Sequence, residues 1–158
     1  MTVSLARAPG PIDLHKELHG YVIEDLQVGM SAFYSRTVTE ADIVLFAGIS
    51  GDFNPLHLNR EFAEQTQFGS CIAHGMLTAS LISTVVGTKL PGPGAIYLKQ
   101  DLKFTAPVRA GDTVTARADV IEINREKRRC RLDTICTVGE TLVVEGQALM
   151  LVPSRAML

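Results

Sequence analysis

The sequence predicts an α+β domain in which a long antiparallel sheet of about five strands curls around one buried helix. Two observations carry this prediction. Residues 74–86 read HGMLTASLISTVV, apolar nearly all round and relieved only by Thr and Ser, the pattern of a helix buried on most sides. After the break LPGPG at 90–94, stretches near 95–105, 113–124, 127–138 and 141–152 are β-rich and follow one another closely. Strands joined by short turns cannot make the crossovers that parallel pairs need. The second half is therefore expected to be an antiparallel meander rather than a series of βαβ units.

The elements ahead of that half follow in order. Residues 1–20 mix Pro9, Gly10, Pro11 and Gly20 with charges and no periodicity, so they read as an arm, and the domain proper is placed at 21–158. Residues 31–38 have the Phe, Tyr, Thr and Val content of a strand. That strand stops at TEAD, 39–42, where Thr39 and Asp42 have capping-box spacing ahead of the apolar run 43–47, so a short helix should start near Glu40. The Gly, Ser, Asp and Asn of 48–55 interrupt it, and Asn59 can cap a second short helix running through Gln65.

Bulk properties narrow the function classes. A chain of 158 residues fits one domain, and 46% hydrophobic and 20% charged residues with a net charge of -2 describe an ordinary folded protein. The basic residues are dispersed except at 125–131, so the concentrated positive field of a nucleic-acid binder is missing. The start MTVSLARAPGPIDLH has no apolar core of the length a signal peptide needs, and no stretch approaches the roughly 20 apolar residues of a membrane span. A cytoplasmic location without a membrane partner is expected. Cys71, Cys130 and Cys136 are odd in number and lack metal-ligand spacing; the last two, on one strand, would sit about 20 Å apart. They are expected to be reduced, buried thiols.

Chemistry concentrates in two runs. Gly51-Asp52-Phe53-Asn54-Pro55-Leu56-His57 presents a carboxylate and an imidazole five positions apart on a turn stiffened by Asn-Pro. Both groups accept hydrogen bonds near neutrality, so together they can orient one water and exchange its protons. The same spacing suits a turn in which Asp52 and Asn54 cap backbone amides and His57 opens the next segment, and spacing alone does not separate the two readings. The second run is Cys71-Ile72-Ala73-His74-Gly75-Met76-Leu77. Here Gly75 would stand at the N-terminus of the buried helix, where backbone N–H groups lack intrahelical partners and can hold an oxyanion. His74, just before that helix, reads as a structural histidine satisfying local backbone. The cluster Arg125, Lys127, Arg128, Arg129 and Arg131 flanks an expected hairpin turn, where charge keeps an exposed edge soluble; arginine forks also suit phosphate oxygens.

Together these runs resemble a known family. FAGISGDFNPLHLNREFA at 46–63, IAHGMLTASLIS at 72–83 and LPGPGAIYLKQDLKFTAPVRAGDTV at 90–114 are similar to the MaoC-like dehydratases, more narrowly to the (R)-specific enoyl-CoA hydratases, over about residues 21–152. The resemblance implies a hot-dog fold, a homodimer or higher homo-oligomer, and acyl-CoA bound in a tunnel near the subunit interface. It places the catalytic pair on Asp52 and His57 and the oxyanion-hole amide on Gly75. A serine near the pair falls on Ser83, and Asn54 is assigned to positioning the substrate. The implied reaction is reversible syn addition of water to a trans-2-enoyl-CoA, giving an (R)-3-hydroxyacyl-CoA. No metal or redox cofactor is expected, since the CoA thioester is itself the substrate. Two other functions suit the same fold: an acyl-CoA thioesterase, and a non-catalytic acyl-CoA-binding subunit.

Overall fold

The computed structural model describes residue 14 and residues 18–158. The expected arm at 1–20 therefore lies almost wholly outside the described residues; its last residue, Gly20, donates its N–H to the Pro93 carbonyl. From there the chain forms β1 (Ser31–Thr37), α1 (Glu40–Ser50), α2 (Pro55–Leu58), α3 (Arg60–Glu64) and α4 (Gly75–Thr88). Strands β2 (Ile96–Phe104), β3 (Thr113–Asn124), β4 (Arg129–Val138) and β5 (Thr141–Leu151) complete the domain, followed by a single 3-10 turn at Arg155–Met157. This is the hot-dog arrangement that the sequence predicts, with a five-stranded antiparallel sheet around α4. No helix among the described residues is long and apolar enough to cross a membrane.

The capping box predicted at Thr39 is formed. The Thr39 hydroxyl accepts from Asp42 N at 3.2 Å, and the Asp42 carboxylate accepts from Thr39 N at 2.9 Å. The Thr39 hydroxyl also donates to Asp42 Oδ2 at 2.7 Å; that bond foremost, then the one from Thr39 N, holds the Asp42 carboxyl below its ordinary value, with the nearby Arg36 guanidinium adding to the effect. Thr39→Ala is expected to cost about 1 kcal/mol, a fall of roughly 2–4 °C in Tm for a chain of this size. A carboxyl whose folded pKa is depressed stabilises above the unfolded pKa, and that stability is lost as pH falls through the folded one. The Tm gap between parent and variant should accordingly narrow in acid, leaving the part that comes from the amide bond to the hydroxyl; a gap unchanged down to pH 2 in thermal melts would exclude this account.

Helix α1 corrects one expectation. Gly48 does not interrupt it; the helix continues through Ser50 and stops at Gly51, whose φ of 76° supplies the left-handed C-cap. A glycine inside a helix costs about 1 kcal/mol and is tolerated, whereas a positive φ ends the hydrogen-bond ladder. Asn54 and Asn59 then cap the two short helices, their side-chain oxygens accepting from Leu56 N and Phe62 N, both at 3.0 Å.

The sheet corrects another expectation. Its order is β1-β3-β4-β5-β2, so only β3 to β5 form a meander, and β2 crosses to the far edge to pair with β5. Gly146 on β5 permits that pairing, because a Cβ there would come within 1.8 Å of the Asp101 carbonyl oxygen of β2. One face of the sheet alternates buried residues, Val114, Ala116, Ala118 and Val120 on β3 opposite Leu132 and Cys136 on β4. That face packs on Leu81, Ile82, Val85 and Val86 of α4 in a single core, the helix lying chiefly over β3. Burial of the two β4 thiols pushes Cys130 up to about 11 and Cys136 up to about 12, so they sit in the core as small apolar groups.

Candidate active site

Three short elements meet at the N-terminus of α4. Asp52 follows the left-handed Gly51, and its own amide donates to Ser50 Oγ at 3.2 Å. Its Oδ1 accepts from Asn54 N at 3.2 Å, which turns the carboxylate so that Oδ2 lies 4.0 Å from His57 Nε2. The Asp52 side chain is half exposed (51%), whereas that of His57 is 9% exposed. His57, in the single turn of α2, places Nδ1 at 2.8 Å from the Ile72 carbonyl. A carbonyl only accepts, so Nδ1 carries the proton, and in the neutral ring the lone pair is on Nε2, the atom facing Asp52.

His74 completes the cluster. It is 1% exposed, and its Nε2 donates to the Asp52 backbone carbonyl at 2.9 Å. The histidine thus satisfies a carbonyl 22 residues away rather than the local backbone that its position suggested. Its ring lies on that of His57, with centroids 3.8 Å apart and planes 34° from parallel. Ligand atoms of Asp52, His57 and His74 lie within 4.8 Å of one another. Two of the four imidazole nitrogens already donate to carbonyls and the rings stack, an arrangement that suits hydrogen bonding better than convergence on an ion.

The first residue of α4 is Gly75, whose N–H has no acceptor within the helix. It lines a cleft of about 350 Å³ with His57, Thr78, Phe104, Val108 and Val144, a mostly apolar wall. A Cβ at Gly75 would approach Phe104 Cε1 to 2.8 Å, so the bare glycine keeps the space beside the amide open. A second cleft of about 450 Å³ also has His57 in its wall and is edged by Arg60, Arg109, Glu40 and Cys71. There Arg60 pairs with Glu40 at 3.0 Å, and Arg109 donates to Ser70 Oγ and the Phe68 carbonyl.

The structure therefore brings together Asp52, His57 and Gly75. Asn54 is exposed beside them, with its side-chain oxygen committed to the α2 cap. Ser83 is not brought to the pair within this chain: it is exposed, eight residues along α4 from Gly75, about 12 Å at 1.5 Å per residue. The basic cluster also lies elsewhere. It surrounds the β3–β4 turn, where Arg129 faces Leu151, while Val144 of the cleft pairs with Cys136 at the opposite end of the sheet, roughly 25 Å away along the strand. Arg131 pairs there with Glu122 at 3.1 Å and Arg125 donates to the Leu26 carbonyl, as a solvated hairpin requires. Sequence reasoning missed the Ile72 carbonyl that orients His57 and the Phe104 wall, because neither residue type announces a backbone contact or a long-range neighbour.

Comparison with known proteins finds relatives in sequence and in fold. The MaoC like domain family matches residues 26–145. An (R)-specific enoyl-CoA hydratase of Rhodospirillum rubrum is 52% identical over 135 residues, covering 85% of this chain and 94% of that protein. A 3-hydroxybutyryl-CoA dehydratase of Methylorubrum extorquens is 49% identical over 139 residues, 88% of each chain. Among solved structures, the unliganded R-hydratase of Pseudomonas aeruginosa superposes with a TM-score of 0.81 at 42% identity, covering 86% of this chain and 88% of that one.

Proposed function

The chain belongs to the MaoC-like dehydratase family, and on that premise we propose that it is an (R)-specific enoyl-CoA hydratase, a hydro-lyase acting reversibly on trans-2-enoyl-CoA. The observation that carries the reading is the 4.0 Å gap between Asp52 Oδ2 and His57 Nε2 beside the Gly75 cleft. One water placed about 2.8 Å from each atom spans that gap with both hydrogens accepted, leaving its oxygen lone pairs free for attack.

The steps follow from the atoms. With the thioester carbonyl at the Gly75 N–H, the conjugated double bond lies in the apolar cleft next to that water. The water oxygen bonds to the β-carbon as one of its protons passes to His57 Nε2. The displaced electron pair moves through the α-carbon to the carbonyl oxygen, where the Gly75 amide stabilises it. The imidazolium then returns the proton to the α-carbon on the same face, the carbonyl re-forms, and one water has been added. Asp52 accepts the second water hydrogen throughout and offsets the charge on His57. The chemistry asks for no redox step and no metal, so no cofactor is part of the proposal.

The same reading takes acyl-CoA as ligand and a homodimer as the working assembly. Exposed apolar side chains around the site, Ile49 at 85% and Phe53 at 65%, support a covering subunit. A cytoplasmic location is also proposed, supported by three free thiols.

The test is incubation with crotonyl-CoA, following loss of the conjugated thioester and resolving 3-hydroxybutyryl-CoA by chirality. (R)-product without free thiol is the expected result. Release of CoA would replace the reading with a thioesterase, and binding without turnover would replace it with an acyl-CoA-binding subunit.

A further inference from the structure

Asp52, His57 and the Gly75 amide account for the proposed chemistry, which leaves a buried histidine beside them without a part. Among the described residues, His74 Nδ1 is the one buried side-chain nitrogen or oxygen with no hydrogen-bond partner. The donor on Nε2 fixes the tautomer, so the unpartnered atom is a lone pair. Leaving a buried acceptor unpaired is unfavourable, and a position that needed only to be filled would be better served by an apolar ring. An imidazole there offers two things that such a ring lacks: a donor at the Nε2 position, and a flat face small enough to stack on another imidazole. Both are in use. The donor holds the Asp52 carbonyl, the face backs His57, and Phe46 packs against the same ring at 5.1 Å.

We infer that His74 is a positioning residue for the hydration step, an inference that rests on the hydratase reading. It ties the backbone of one catalytic residue to the ring plane of the other. The two come from different segments, Asp52 from the loop after α1 and His57 from α2. No direct hydrogen bond joins their side chains at 4.0 Å, and His74, in contact with both residues, is placed to hold the gap at the width of one water. His74 is buried immediately before α4, next to the core residue Ala73, which gives it a rigid mounting. It lines neither cleft beside His57, and acts through the other two.

The experiment uses the full chain with crotonyl-CoA and compares the parent with His74→Gln, His74→Phe and His74→Asn. A glutamine amide reaches the place of Nε2 and can donate to Asp52; an asparagine amide reaches only the place of Nδ1; phenylalanine keeps a ring without the donor. The expected result is a fall in kcat on the order of 100-fold for the Phe and Asn variants, the loss typical of sub-ångström to 1 Å misplacement of reacting groups. KM should stay within a few-fold of the parent, and the Gln variant should recover kcat to within about tenfold. Thermal melts run alongside. Parent-like kcat in a folded His74→Phe protein overturns the inference. So does a loss that follows the melting temperature in all three variants, glutamine included, because that is how a purely structural residue behaves. Should the phenylalanine variant fail to fold, the Asn and Gln pair decides, with equal kcat in the two overturning the inference. A parent that does not hydrate crotonyl-CoA rejects the hydratase reading itself, and is thereby distinguished from an active parent with an insensitive position 74.

Discussion

Asp52→Asn is expected to lower kcat with crotonyl-CoA by about two to four orders of magnitude while leaving the melting temperature within a few degrees of the parent. The reason lies in how the two carboxylate oxygens are divided. Oδ1 accepts from Asn54 N, and an asparagine oxygen can take over that bond and preserve the turn. The asparagine NH2 then stands where Oδ2 was, 4.0 Å from His57 Nε2. It is a donor where the water needs an acceptor, and it carries no charge to offset an imidazolium. The water loses one of its two acceptors. Kinetics and thermal melts on the same preparation read both halves of the prediction. A variant that keeps its kcat within tenfold would remove Asp52 from the chemistry.

Gly75→Pro should lower kcat/KM by a further 10²–10³-fold relative to Gly75→Ala, the range for deleting one oxyanion donor. Proline is accepted at the first position of a helix, where its missing N–H was unpaired in any case. It also requires an extended residue before it, and His74 already has φ -59° and ψ 135°. The substitution thus deletes the amide hydrogen with little reason for α4 to unwind. Both variants bring a Cβ within 2.8 Å of Phe104, a half-exposed ring (50%) that has room to swing aside. Alanine keeps the N–H and so controls for that crowding. Equal kcat/KM in the two variants would show that the amide does not hold the thioester oxygen.

The parts of this protein that could be read from its sequence are those governed by neighbours along the chain. Thr39 and Asp42 are three residues apart and form the cap that their spacing predicts. The apolar run at 74–86 becomes α4, extended by two residues at its C-terminal end. Asp52 and His57 are five apart on one turn, so their proximity needed no knowledge of the rest of the fold. Gly75 at the head of a helix is likewise a local fact.

What only the tertiary structure decided depends on pairings across long sequence separation. Strand β2 lies at the far edge because Gly146, more than 40 residues away, leaves room for its backbone, and no periodicity in either segment encodes that choice. His74 reads locally as an ordinary histidine before a helix; its bond to the Asp52 carbonyl and its stack on His57 exist because packing of α4 into the sheet carries it there. The basic cluster shows the converse, since residue types suited to a phosphate site were placed away from the cleft by the direction of the strands. The sequence by itself determined the chemistry available and the local geometry of each piece, because propensities, caps and turns act over a few residues. The fold decided which pieces meet, because burial of one continuous core rewards the global arrangement and is blind to chain distance.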